Sequence, residues 1–254
     1  MKNSASPVFS LPKRVSERGN ALVIILVSIG LLVGLTVMLT RMSSKTSGNL
    51  STEQARLVAQ NMMRTAQTYE SATQRLINVN RCSENEINFD NPYTTQNYNN
   101  TDAPADGRCD YFNVNGAGLV YTAPDPDFLD IDESAKPQYG EWVLNAKQCI
   151  LEVGTGESSC TADSEADLII MIPHIRLDVC NQVNLLNGID QYLGGPPRED
   201  QSGSGFVGAY TSSNGAIGDL ASSANLVGKT TGCFQDINGL WDQSYVFYHT
   251  LLAR

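Results

Sequence analysis

The chain is poor in the residues from which most active sites are built. Only two of its 254 residues are histidine, His174 and His249. No Cys-x-x-Cys pair occurs, so the thiolate spacing of a structural zinc site is missing, and two imidazoles are too few to replace it. There is no Gly-x-Ser-x-Gly elbow, no Walker loop and no His-Glu-x-x-His. Without partner motifs the two histidines read as structural residues rather than bases. These absences argue against an enzyme, and no cofactor is implied. No internal repeat stands out.

Positive charge is scarce beyond the first 45 residues. Lys2, Lys13, Arg14, Arg18, Arg41 and Lys45 stand there against Glu17 alone, a surplus of five. With -10 for the whole chain, the remainder carries -10 less +5, or -15. An acidic body offers no clustered basic face, so no nucleic-acid partner is expected.

Residues 20–40 lack charge altogether, and thirteen of them are Leu, Ile or Val. As a helix this stretch would reach roughly 30 Å, the thickness of a bilayer hydrocarbon core. It has no polar stripe, only scattered Ser28, Thr36 and glycines, so it reads as a retained membrane span. A removable signal peptide has a shorter apolar run and an Ala-x-Ala-like site, which is missing after Thr40. Basic residues before the span place the N-terminus inside. The cysteines beyond it place the rest outside the cytoplasm, as a single-pass inner-membrane protein.

The run Lys13-Arg14-Val-Ser-Glu-Arg18-Gly19-Asn20-Ala21-Leu22-Val23-Ile24 resembles the leader of type IV pilins and pseudopilins. The resemblance covers about the first third of the chain. It implies that a prepilin peptidase cuts between Gly19 and Asn20. The retained helix would then pack against other pilin-like subunits in a cell-surface or periplasmic filament. Two positions depart from the family pattern: Asn20 replaces the usual Phe or Met, and Ile24 replaces the Glu at the fifth mature position. The second departure points to a minor or tip subunit. Gly30 and Gly34 form a Gly-x-x-x-Gly step suited to close helix approach.

Ser51-Thr-Glu-Gln54 fits a capping box. Ala55, Val58, Met62, Ala66, Tyr69, Thr73 and Leu76 then recur at helical spacing. Helix is therefore expected through Asn78, either unbroken from Asn20 or interrupted at 43–49. Residues 85–106 read as loop. Strands are expected at 118–122, 141–144, 148–153 and 167–172, and a helix from Leu177 towards Gly188. Residues 193–218 read as a mobile surface loop. Asn238-Gly239 suits a type I′ hairpin turn leading into a last strand at 245–251.

Six cysteines, Cys82, Cys109, Cys149, Cys160, Cys180 and Cys233, follow the apolar run. Their even number implies up to three bridges. Sequence proximity suggests Cys82–Cys109, Cys149–Cys160 and Cys180–Cys233 among the fifteen possible pairings. Asp125, Asp127, Asp130, Asp132 and Glu133 form a dense acidic stretch, a weak calcium candidate that lacks the EF-hand ligand order.

The expected architecture is α+β and pilin-like: a basic leader at 1–19, a long N-terminal helix at 20–80 that spans a membrane at 20–40, and a disulfide-bonded head with a mainly antiparallel sheet at 81–254. The expected function is a structural subunit of a type IV pilus or type II secretion-type filament. The alternative is an unprocessed bitopic inner-membrane protein with a periplasmic binding or sensing head. A membrane-tethered hydrolase has no supporting motif.

Overall fold

The computed structural model describes residues 24–32, 50–156, 160–201, 205–212 and 215–254. Its contacts divide the chain into Met1–Gly48 and Asn49–Arg254. In the first unit, residues 24–32 are helical. Everything that follows concerns the second unit unless stated.

Helix α1, Thr52–Asn78, starts where the capping box places it. The Gln54 amide donates to Ser51 Oγ at 3.3 Å, and the Ser51 amide donates to Gln54 Oε1 at 3.1 Å. Ser51 itself is extended, so helix does not run unbroken from Asn20 to Asn78. The buried face is Ala55, Ala59, Met62, Ala66, Tyr69, Ala72, Thr73 and Leu76. Its alanines let the backbone of α1 lie close to what it covers. Helix α2, Leu177–Leu186, is tied to the start of α1 by Asp178, whose Oδ2 accepts from the Leu50 amide at 2.8 Å. Gly188, at φ +61°, takes the left-handed turn that ends it.

Six strands form one mixed sheet in the order β3-β5-β6-β2-β1-β4. They are β1 Val143–Ile150, β2 Asp167–Ile175, β3 Arg198–Glu199, β4 Ala216–Ile217, β5 Thr231–Asp236 and β6 Tyr245–Leu252. The central strands β5-β6-β2-β1 pair antiparallel, while the two-residue edge strands β3 and β4 pair parallel to β5 and β1. On one face Leu144, Ile170, Ile172, Phe247 and Leu251 pack with α1 and α2. On the other, Ile169, Met171, Phe234 and Tyr248 lie with Ile217 of β4 and with Leu226 and Trp241 from connecting segments.

Three expectations of fold and placement are overturned. Among the described residues no helix is long and apolar enough to cross a membrane. The described helical stretch 24–32 spans roughly 13 Å at the standard rise, under half a bilayer core. Helix α1 is longer, but it carries Glu53, Arg56, Arg64, Glu70 and Arg75. The pilin-like class with a long membrane-spanning helix, the transmembrane attribute and the single-pass inner-membrane placement therefore do not stand, and the fold of the described residues lends the pilus attribute no support. The sheet is antiparallel across its four central strands, as expected, and becomes mixed only through the parallel two-residue edge strands β3 and β4.

Local readings are also corrected. No strand forms at 118–122, where Gly118 (φ +71°) turns the chain; the Gly118 amide donates to the Asn113 carbonyl and the Leu119 amide to the Tyr111 carbonyl, which makes no ladder. The stretches 141–144 and 148–153 merge into β1, which is irregular between Asn145 and Gln148. The described residues of 193–218 supply both edge strands and the buried Phe206 and Tyr210, so they form part of the packed body. Asn238-Gly239 makes no two-residue hairpin, because β5 ends at Asp236 and β6 begins at Tyr245. The Asp236 carboxylate accepts from the Gly239 and Trp241 amides, each at 2.8 Å, and Trp241 drops into the core. Glycine is needed at 239 because a Cβ there would collide with the Gln201 carbonyl oxygen.

Candidate functional site

Of the two histidine–carboxylate pairings among the described residues, the one that borders an open cleft lies where α1 crosses β6. Side chains alternate along β6, so Phe247, His249 and Leu251 share the face that α1 covers. Thr231 stands opposite His249 in the β5–β6 register, and its Oγ1 lies 2.5 Å from His249 Nδ1. His249 Nε2 reaches Glu70 Oε2 at 3.0 Å. Burial lowers the His249 pKa against the opposing pull of the Glu70 hydrogen bond and charge. The ring is therefore neutral at neutral pH: the Thr231 hydroxyl donates to Nδ1, and Nε2–H donates to Glu70. A cleft of about 290 Å³ opens beside the pair, lined by Glu70, Gln74, Thr230, His249 and Leu251 among others.

Thr231, His249 and Glu70 thus form a hydroxyl–imidazole–carboxylate chain, but its chemistry is limited. Thr230, not Thr231, lines the cleft, so the hydroxyl steadies the ring and does not face the open space. One imidazole and one carboxylate fall short of a zinc site's ligand set. Among the described residues no group of three or more His, Cys, Asp or Glu is gathered to hold a metal. The arrangement suits contact with a small polar or cationic group. Glu70 and Gln74, one turn apart on α1, read in the sequence only as the polar side of a helix.

His174 is the more enclosed of the two. It follows Pro173 at the irregular end of β2, has φ +61° and is fully buried. Its Nδ1 lies 2.9 Å from Ser244 Oγ, and its Nε2 lies 2.8 Å from the Pro137 carbonyl. Ser244 Oγ also meets Glu133 Oε2 at 3.0 Å, and Lys136 pairs with Glu133. Burial pushes the Glu133 carboxyl up, but its bonds to Lys136 and Ser244 outweigh this and leave it below the ordinary value. Burial lowers the His174 pKa. Serine, histidine and glutamate are all present, yet serine and carboxylate crowd one ring nitrogen while a backbone carbonyl occupies the other. This network locks the acidic segment onto the sheet.

The calcium candidates do not converge. Asp125 Oδ1 accepts from the Asp127 amide at 3.0 Å and Asp130 Oδ1 from the Asp132 amide at 3.1 Å, each capping its own 3₁₀ turn. The cysteines are joined as Cys82–Cys109, Cys149–Cys160 and Cys180–Cys233, the pairing that sequence proximity suggests. Gly30 lies within 24–32, with nothing near where a Cβ would stand. The leader 1–19, the bond between Gly19 and Asn20, and Gly34 lie outside the described residues. No family model, curated protein or solved structure matches this chain.

Proposed function

We propose that this chain is a non-catalytic structural subunit of a pilin-like filament, with residues 50–254 as its folded head. The observation that carries this reading is the junction of Gly19 and Asn20, where a basic leader meets a charge-free apolar run. Two features of the head agree with it: three disulfides staple it, and both histidines are engaged in internal hydrogen bonds. Ile24 removes the carboxylate that would pair with a neighbouring subunit's amine, which favours a minor subunit. In cells that hold a prepilin peptidase, mass spectrometry of the purified protein is expected to give a mature chain beginning at Asn20. A chain beginning at Met1 overturns the processing step.

That outcome would favour a second reading, in which the head works alone as a binding or sensing module. The open cleft beside Glu70 and His249 supports it. Replacing Gly30 and Gly34 by leucine separates the two. The change keeps the segment apolar but obstructs close helix approach. Filaments recovered after shearing are expected to lose the double variant, whereas a head that works alone keeps its function. Wild-type amounts of the variant in sheared filaments would show that the glycine step plays no part in assembly.

A further inference from the structure

The sheet face turned away from the helices is closed by a segment held through a carboxyl group with no cation bonded to it among the described contacts. Glu199, the second residue of β3, is 0% exposed. Its Oε1 accepts from the Gly218 amide at 2.6 Å, just after β4. The Ser223 hydroxyl also bonds to it, and Gln201 Nε2 lies 3.5 Å from Oε2. One side chain thus ties β3 to β4 and to the start of the 3₁₀ turn Ala224–Leu226.

Of the charged and titratable groups around it, Asp219 worsens its position as an anion. Asp219 follows β4, Asp236 stands opposite Glu199 in the β3–β5 register, and Tyr248 lies on β6. Arg198 precedes it on its own strand and is exposed, and Asp200 follows the end of that strand. A carboxylate buried among neutral donors and other carboxyl groups is costly, while the neutral acid is not. The buried Gln201 Oε1 nearby has no hydrogen-bond partner, so the neighbourhood is short of donors, not acceptors.

We propose that Glu199 is a proton-controlled clasp: as the neutral acid it holds residues 215–226 shut over the sheet, and on ionisation it lets that segment open while the helices and central strands stay folded. Opening would bare the apolar face formed by Ile169, Met171, Phe234 and Tyr248, which Ile217 and Leu226 help to cover. Burial first, and the Asp219 charge with it, raise the carboxyl from 4.5 to about 7. The closed form binds the proton more tightly than the open form. Its advantage is therefore complete below 4.5, shrinks as pH rises, and is gone above about 7.

Hydrogen exchange of the full chain, corrected for the intrinsic pH dependence of exchange, tests the clasp. Between about pH 5.5 and about pH 8.5, opening of residues 215–226 is expected to increase roughly 30-fold in the wild type. Glu199→Gln, which keeps the shape of the neutral acid, is expected to hold the segment closed at both pH values. Asp167, which burial raises to about 6, titrates in both proteins, so the comparison removes its effect. Should the variant fail to fold, carbon-13 NMR of the wild-type Glu199 carboxyl supplies the test, because its titration near neutrality must coincide with the loss of protection. Unchanged wild-type protection, equal opening in the glutamine variant, or titration in the ordinary carboxylate range would each overturn the proposal.

Discussion

Replacing Cys180 and Cys233 together by alanine is expected to lower the unfolding free energy by about 4 kcal/mol, the largest loss among the three bridges. The bridge spans 53 residues of sequence, against 27 for Cys82–Cys109 and 11 for Cys149–Cys160. In the chain-entropy account the longer loop is the more restricted when unfolded, so its release stabilises the unfolded state most. The other two pairs should cost roughly 3.5 and roughly 3 kcal/mol on the same reasoning. The Cys180–Cys233 bridge also joins α2 to β5 at a point where both cysteines are fully buried. For a body of this size the loss corresponds to a fall in melting temperature of roughly 8–16 °C. Calorimetry of the three double variants gives the order directly. A Cys149–Cys160 variant less stable than the Cys180–Cys233 variant would show that native packing, not loop entropy, sets the ranking.

What could be read in advance was what local chemistry fixes. The start of α1 followed from Ser51 and Gln54 meeting within one turn, and its buried face from helical periodicity. The end of α2 followed from Gly188, which accepts positive φ without steric cost. Features set by distant residues were not visible. Asn238-Gly239 has the chemistry of a hairpin turn, but Trp241 gains more by entering the core, and Asp236 rewards that path with two amide bonds. The region 85–106 looked like open loop because its packing, like that of the residues just after it, is non-local. In fact Phe89, Tyr98 and Tyr111 are buried and meet Tyr69 of α1, Trp142 or Phe206 in ring contacts or hydrogen bonds. The same limit hid the candidate site. Glu70 and His249 lie 179 residues apart, and no spacing rule connects them.

Asn184→Ala is expected to destabilise the body by about 2–5 kcal/mol, because it strands two buried backbone groups. Asn184 sits on α2 facing β5. Its Nδ2 donates to the Cys233 carbonyl at 2.9 Å, and its Oδ1 accepts from the Cys233 amide at 2.9 Å. The side-chain amide therefore does for Cys233 what a neighbouring strand would do, beside the bridge that ties the same two elements. Alanine leaves the amide and carbonyl of Cys233 buried without partners, since Asn184 is only 3% exposed and Cys233 fully buried. Asn184→Asp sharpens the test. Its carboxylate can accept from the Cys233 amide but cannot donate to the carbonyl, and burial adds a charge penalty. A proton restores the missing donor, so the aspartate's folded pKa should lie above its unfolded one. The variant's stability should then approach the wild type in acid and fall behind as pH rises through that folded pKa. Denaturant unfolding of wild type and both variants at several pH values isolates this difference from the buried carboxyls they share. Should the aspartate variant trail the wild type equally at every pH, Asn184 acts through shape alone and not as a paired donor and acceptor.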